Sequence, residues 1–231
     1  MQTRNGSKEG VAADRDDAGT VATRRKPVVG VIVPPADGAV PPELPQLYGD
    51  RLDFIAEGLA LGKLTPDGYD QVIDKVAAAA RRLVERGAGA VALMGTSLSF
   101  YRGTAFNQEL VRTMKAATGV PVTTMSNAIV EALQAVGARR LAVATAYTDP
   151  VNQRLREFLQ DSGFEGLALE ALDLVEIEDV HAVGDDQLLA LGKQAGASAP
   201  GADGLLISCG GLRTLPVEPP LEQSLGIPVV S

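Results

Sequence analysis

The sequence contains few side chains that can do chemistry, and one of them is its single cysteine. Cys209 follows an apolar stretch at 205–207 and Ser208, and it precedes Gly210 and Gly211. This pattern predicts a short buried strand that ends in a turn of small residues. A lone cysteine can be an inert core residue. However, α/β proteins build their sites at the carboxyl ends of buried strands, so this position favours a functional thiol.

A second stretch of the chain has the same form. Residues 90–97 read Ala-Val-Ala-Leu-Met-Gly-Thr-Ser, and Gly95 stands where Cys209 stands in the other copy. We interpret Gly95, Thr96 and Ser97 as a turn whose hydroxyl and N–H groups can bind a carboxylate. The chain therefore carries two copies of one strand–turn motif, and only the second copy has a thiol.

Tyr147 is a third candidate, because it ends another apolar strand pattern at 141–146 and can add a phenolic donor. Strand segments repeat in the same order along the chain: 28–33 with 141–147, 90–94 with 205–208, and 119–124 with 226–231. Stretches with helical periodicity separate them, a pattern typical of parallel sheets covered on both faces. We therefore predict an α/β fold of two pseudo-symmetric lobes. Each lobe is a mostly parallel sheet flanked by helices, and the site lies in the cleft between them.

The repeat also predicts how the chain is divided. We place the first lobe at residues 27–124 and the second at 125–231. A helix is predicted after Thr124, whereas the chain stops at Ser231, so we expect a C-terminal helix after the last strand to be missing. Residues 1–26 mix charged and small residues without an apolar core, which predicts a disordered tail and not a secretory signal.

Composition excludes several classes of function. The net charge of -8 and the pI near 4.7 argue against a nucleic-acid partner. No apolar run approaches the roughly 20 residues of a membrane span. One cysteine and one histidine exclude an internal disulfide and argue against a zinc site. We expect a cytoplasmic protein whose partner is a small-molecule dicarboxylate; a monomer is compatible with the sequence, which does not determine the oligomeric state.

Two segments are harder to interpret. Residues 52–61 alternate poorly and are compatible with a strand or a loop. His181 lies in a polar stretch beside Asp179, so we expect it at the surface without a catalytic role.

The motifs resemble those of the aspartate/glutamate racemase superfamily and, within it, the arylmalonate decarboxylase family. The resemblance spans residues 27–231 and is most specific at 31–35, 93–103, 144–147 and 206–211. Racemases and maleate isomerases of this superfamily carry two cysteines, one in each lobe, whereas the decarboxylases keep only the second. Gly95 together with Cys209 matches the decarboxylase pattern.

The resemblance implies decarboxylation of α-aryl-α-methylmalonates to optically pure 2-arylpropionates, with no metal or organic cofactor. Donors around one carboxylate would stabilise an enediolate, which Cys209 would then protonate. By resemblance, the catalytic residues are Cys209, Thr96, Ser97, Tyr147 and Gly210. Apolar walls for the leaving carboxylate are Pro34, Leu61, Leu64, Leu98, Ile177 and Val180, and further substrate contacts are Pro35, Gly95 and Gly211.

Alternatives stay open at this level. Each apolar wall residue, taken singly, is equally well explained by core packing. The chain is also compatible with a racemase or isomerase of the same superfamily, although Gly95 argues against this alternative. A third alternative is an inactive bilobal relative that only binds an anion. For Cys209, free N–H groups in the turn lower a thiol pKa and a bound dianion raises it. We therefore expect bound substrate to keep the thiol protonated.

Overall fold

The computed structural model describes residues 25–231, so residues 1–24 of the predicted tail lie outside the described part. It contains two four-stranded sheets in which every pairing is parallel. The strands of the first sheet are β1 (Val28–Val33), β2 (Asp53–Gly58), β3 (Ala90–Leu93) and β4 (Val122–Thr124). The strands of the second are β5 (Arg140–Thr145), β6 (Glu165–Ala171), β7 (Gly204–Ser208) and β8 (Val229–Val230).

The two sheets have the same topology. Their strand orders are β2-β1-β3-β4 and β6-β5-β7-β8, so each strand of the first sheet has a counterpart four strands later. The predicted α/β fold of two pseudo-symmetric lobes is confirmed. The division at residues 124 and 125 stays a prediction.

Helices connect and cover the strands. In the first half they are α1 (Glu43–Tyr48), α2 (Pro66–Val72), α3 (Val76–Glu85), α4 (Thr96–Phe100) and α5 (Thr104–Thr118), with a 3₁₀ turn, Ile73–Lys75, between α2 and α3. In the second half they are α6 (Met125–Ala135), α7 (Asp149–Asp161), α8 (Ile177–His181), α9 (Asp185–Ser198) and α10 (Glu218–Leu225). No helix within residues 25–231 is long and apolar enough to cross a membrane.

The central strand β1 shows why the sequence forms this fold. Its six residues are nearly all β-branched, and the last four are buried, as expected for a parallel strand covered on both faces. Gly30 allows helix α3 to approach, because a Cβ at this position would lie 2.9 Å from the Cβ of Leu83. Neighbouring residues also determine where α2 begins. The Thr65 hydroxyl accepts a hydrogen bond from the Gly68 N–H at 3.2 Å, and Pro66 occupies the first turn.

Two structural details differ from the sequence-based picture. The ambiguous segment 52–61 contains strand β2, which pairs with β1 over all six residues. Thr96 and Ser97, predicted in a turn, are instead the first two residues of helix α4, which Gly95 precedes as the N-cap residue in extended conformation. Strand β3 therefore passes into a helix with Gly95 as the junction.

Contacts between the lobes hold the cleft together. Residues Lys63 and Glu176 form an antiparallel bridge, and their side chains form an ion pair at 3.2 Å. Beside them the Leu64 N–H donates to the Val175 carbonyl at 2.9 Å. The segment after β2 is thus attached to the segment before α8 in the other half.

Candidate active site

The carboxyl ends of four strands border one cavity of about 290 Å³. Pro34 follows β1, Thr96 follows β3, Tyr147 follows β5 and Cys209 follows β7, and all four line this cavity. Parallel strands place their carboxyl ends at one edge of a sheet, so the two sheets bring these residues together.

Every site residue that was named from the sequence lines this cavity. None of them lies elsewhere in the fold, although their roles in a reaction stay predictions. They are Pro34, Pro35, Leu61, Leu64, Gly95, Thr96, Ser97, Leu98, Tyr147, Ile177, Val180, Cys209, Gly210 and Gly211.

The Cys209 thiol is protonated at neutral pH. Burial raises the pKa of Cys209 to about 11, although hydrogen bonds from the Gly211 N–H and the Tyr147 hydroxyl oppose this rise. Desolvation of the sulfur therefore favours the protonated thiol before any substrate binds, and the expectation that bound substrate keeps it protonated stays a prediction. A thiol in this state is an acid and a poor nucleophile.

Helix α4 presents the two hydroxyl side chains of the first lobe. Thr96 and Ser97 are both buried, and the Thr96 hydroxyl donates to the Met125 sulfur at 3.4 Å. The main chain is also held in place, because the Ser99 and Ser126 hydroxyls donate to the Thr96 carbonyl at 2.9 and 3.2 Å. A thioether is a weak acceptor, so the Thr96 hydroxyl can turn to a stronger anionic one.

Tyr147 supplies the hydroxyl of the second lobe. Its side chain is fully buried, and its oxygen lies 3.5 Å from Ser208 Oγ and within hydrogen-bonding range of Cys209. Burial, followed by the neighbouring Cys209, raises the pKa of Tyr147 well above its ordinary value. Tyr147 is therefore a neutral donor at any physiological pH.

Tyr69 is a candidate that sequence reasoning missed. Its side chain is fully buried, and its hydroxyl has no hydrogen-bond partner among the described residues. Burial raises its pKa, while Ser97 opposes the rise and Cys209 adds to it, which places the hydroxyl near both. The helical spacing of Tyr69 with Val72 and Val76 is that of a core face. The one feature of the sequence that could have indicated a functional role is that Tyr69 places a phenol on an otherwise apolar helix face.

The two glycines after Cys209 lie close to neighbouring side chains. A Cβ at Gly210 would lie 2.9 Å from the Met125 sulfur and 3.5 Å from Thr96 Oγ1. A Cβ at Gly211 would lie 3.0 Å from Val180 Cγ1. The turn after β7 therefore lies close to Met125 and Val180, and a side chain at either glycine would require these neighbours to shift.

Apolar side chains from both lobes line part of the cavity. Leu61 follows β2 and donates its N–H to the Pro34 carbonyl at 2.8 Å, whereas Ile177 and Val180 lie on α8. These walls carry no charged group and exclude water from part of the cavity. The buried members are Leu61, Leu64, Leu98, Ile177 and Val180.

Four further residues of the lining besides Tyr147 and Cys209 are charged or titratable. They are Asp37, Glu43, His181 and Arg213. His181 is exposed, as expected, but it also borders the cavity. Glu43 connects the loop after β1 to the second lobe, because its carboxylate accepts a hydrogen bond from the Leu215 N–H at 3.2 Å. Within residues 25–231 no group of three or more His, Cys, Asp or Glu side chains could hold a metal ion.

This geometry can be compared with known proteins. The chain is 51% identical over 205 residues to arylmalonate decarboxylase of Bordetella bronchiseptica, a match that covers 89% of this chain and 85% of the relative. A liganded double variant of arylmalonate decarboxylase superposes with a TM-score of 0.88 at 50% identity, covering 89% of this chain and 87% of that one. The maleate cis-trans isomerase of Nocardia farcinica has the same fold, with a TM-score of 0.83 at 19% identity over 89% and 87% of the two chains.

The arylmalonate decarboxylase family matches residues 29–231, which include every site residue named above and all of the two sheets except Val28. Together with the relative at 51% identity, this match shows that the chain belongs to the arylmalonate decarboxylase family and is a carboxy-lyase.

Proposed function

We propose that this carboxy-lyase removes CO2 from α-aryl-α-methylmalonates and releases 2-arylpropionates of one handedness, without a cofactor. The observation that carries the proposal is the composition of one cavity. It combines a protonated thiol, hydroxyl donors that bear no charge, and an apolar wall. The 51% identical relative is an arylmalonate decarboxylase, which supports the same substrate class.

In the proposed reaction one carboxylate of the substrate stays and one leaves. The retained carboxylate accepts hydrogen bonds from the Thr96, Ser97 and Tyr147 hydroxyls and from the Gly210 N–H. To these we add the Tyr69 hydroxyl, which is buried and has no hydrogen-bond partner within residues 25–231. When the C–C bond breaks, its electron pair moves into the retained carboxylate to form an enediolate, and preorganised donors stabilise this developing charge.

The leaving carboxylate lies against the apolar wall. There its charge is poorly solvated, whereas neutral CO2 is not penalised, so departure of CO2 is favoured. An aryl group on the α-carbon delocalises the electron pair that remains. The substrate itself thus provides the electron sink, and the proposed reaction needs no metal or organic cofactor.

Cys209 then transfers its proton to the α-carbon, and the resulting thiolate is reprotonated from solvent. Gly95 offers no acid on the first-lobe side that corresponds to Cys209, so we expect the proton to arrive on one face only. This asymmetry also separates the proposal from a racemase, which needs an acid–base group on each face.

The test is turnover of α-methyl-α-phenylmalonate in heavy water. We expect release of CO2 and an optically pure acid that carries one deuterium at the α-carbon, and no turnover by Cys209→Ala. Exchange of deuterium into a chiral 2-arylpropionate without CO2 release would instead identify a racemase. Binding without either reaction would identify an inactive relative.

A further inference from the structure

A ring of hydrogen bonds surrounds the main chain of Tyr147. The Thr145 hydroxyl donates to Asn152 Oδ1 at 2.7 Å, and Asn152 Nδ2 donates to the Tyr147 carbonyl at 2.9 Å. The Tyr147 N–H closes the ring by donating to Thr145 Oγ1 at 3.3 Å. Strand β5 and helix α7 therefore hold this peptide from both sides.

The ring of hydrogen bonds is shielded from solvent and does not include the Tyr147 hydroxyl. Thr145, Asn152 and Tyr147 are all fully buried, so water does not compete for these bonds. The Tyr147 hydroxyl takes no part in the ring and lies beside Cys209 and Ser208 instead. The main chain of Tyr147 is thus restrained by side chains that do not themselves line the cavity.

Such restraint matters because a tyrosine hydroxyl lies far from its own backbone. A small rotation of the Tyr147 peptide is amplified at the end of the side chain, and a misplacement of about 1 Å can cost about 100-fold in rate. Hydrogen bonds from residues behind a reacting group are the usual means by which a protein keeps that group in the position that the reaction requires.

We propose that Thr145 and Asn152 are positioning residues, which hold the Tyr147 hydroxyl against the Cys209 thiol and the retained carboxylate. The part of this inference that concerns the carboxylate rests on the proposed function. The part that concerns Cys209 depends on no substrate.

The first lobe offers a matched control. The Thr124 hydroxyl donates to Asn107 Oδ1 at 2.7 Å and accepts from the Asn127 N–H at 3.2 Å. Thr124 is fully buried, as Thr145 is, but none of these three residues lines the cavity. Replacing either threonine by valine therefore removes the same kind of bonds, around Tyr147 in one case and at the start of α6, whose Met125 and Ser126 contact Thr96, in the other.

The first readout is decarboxylation of α-methyl-α-phenylmalonate by the purified 231-residue chain. We expect Thr145→Val to lower kcat/KM at least about tenfold and Thr145→Ser, which keeps the hydroxyl, to restore it. Thr124→Val should lose a similar amount of thermal stability, and any loss of its kcat/KM should persist in a Tyr147→Phe background, because α6 is bonded to Thr96. A loss in Thr145→Val that likewise persists in that background would overturn the proposal.

The second readout is the rate at which iodoacetamide alkylates Cys209 at pH 9. The Tyr147 hydroxyl lowers the pKa of Cys209, so its displacement in Thr145→Val should raise that pKa. The thiolate fraction, and with it the alkylation rate, falls about tenfold for each unit of increase. An unchanged rate in Thr145→Val contradicts the inference even if the wild-type chain has a different activity, since this measurement needs no substrate.

A double variant decides whether the threonine acts through the tyrosine. In a Tyr147→Phe background, Thr145→Val should lower kcat/KM and the alkylation rate by less than about twofold. A full effect in that background means that Thr145 acts by another route. Where Thr145→Val does not fold, Asn152→Ala serves in its place, because water can enter the freed space and bond to Thr145.

Discussion

The Phe100 ring meets the Tyr147 ring nearly edge-on, with 5.7 Å between their centroids and 68° between their planes. Phe100 is the last residue of α4, the helix that begins with Thr96 and Ser97, whereas Tyr147 follows β5 in the other lobe. Both rings are buried. This packing joins the two halves of the proposed carboxylate site.

Replacement of Phe100 by leucine should therefore affect stability and activity together. We expect Phe100→Leu to lower the free energy of unfolding by about 1–2 kcal/mol, because it removes an aromatic contact and leaves a small cavity. We also expect kcat/KM to fall about tenfold or more as α4 and Tyr147 lose their relative position. Urea denaturation and steady-state kinetics measure the two effects.

Phe158 provides the control for that experiment. Its ring packs on the same Phe100 ring at 6.1 Å, but it belongs to α7 and does not line the cavity. Phe158→Leu should lower stability to a similar extent with a smaller loss of activity. Equal losses of activity would show that general loosening of the core is responsible.

Tyr69→Phe should separate function from stability. The variant removes a buried hydroxyl that has no partner among the described residues, so we expect the free energy of unfolding to stay constant or to rise by about 1 kcal/mol. kcat/KM should fall, because the retained carboxylate loses a donor. Loss of stability without loss of activity would mean that the Tyr69 hydroxyl has a structural role only.

The raised pKa of Cys209 predicts an unusual dependence of activity on pH. Because the proposed reaction uses the thiol as its proton donor, kcat/KM should stay nearly constant through pH 9 and fall to half near pH 11, the pKa that burial produces in the free protein. A fall near pH 8.5, where an ordinary thiol titrates, would contradict this. The profile is measured on α-methyl-α-phenylmalonate with stability checked at each pH.

The same shift predicts a change in stability. In alkali the unfolded chain releases the Cys209 proton near 9.0, whereas the folded chain keeps it until about 11. Because the folded state then binds more protons, the free energy of unfolding must fall as pH rises through this interval. Cys209→Ala should show a shallower fall, and identical slopes for the two proteins would refute the assigned pKa.

Gly95→Cys should introduce a second acid–base group. The backbone at Gly95 is extended, with φ of -126°, and an added Cβ would lie 3.1 Å from the Leu98 Cβ. A shift of a few tenths of an ångström therefore suffices, and the variant should fold. We expect it to exchange the α-proton of 2-arylpropionates on both faces, seen as slow racemisation in heavy water.

Gly95→Ser is the matched control, since it adds a side chain of similar size without the thiol. It should fold and show no racemisation. Absence of racemisation in a folded Gly95→Cys protein would show that position 95 does not face the α-carbon.

Several features of this protein follow from local sequence alone. The β-branched run at 28–33, the Thr65-Pro66 helix start and the repeated order of segments predict the lobes, because strand propensity, capping and hydrophobic periodicity act over a few residues. Strand β6 was not anticipated. It is a half-buried edge strand rich in alanine and glutamate, residues that have low strand propensity.

The candidate site residues were also named from short motifs, chiefly those around Thr96, Tyr147 and Cys209. What these motifs did not contain is the environment of each side chain. The Tyr69 hydroxyl is a candidate because it lies near Ser97 and Cys209, whereas its helical spacing is that of any core face. The pairing of Thr145 with Asn152 depends on how α7 turns back onto β5.

The sequence by itself thus determined the fold class, the two-lobe repeat and the presence of a thiol in one lobe only. Tertiary structure alone decided the protonation state of that thiol, since desolvation depends on groups that lie far apart in the chain. It also decided that Thr96 and Ser97 begin a helix, and that Tyr69 and Tyr147 lie near Cys209. Distances between distant segments arise only when the sheets pack, so no local pattern encodes them.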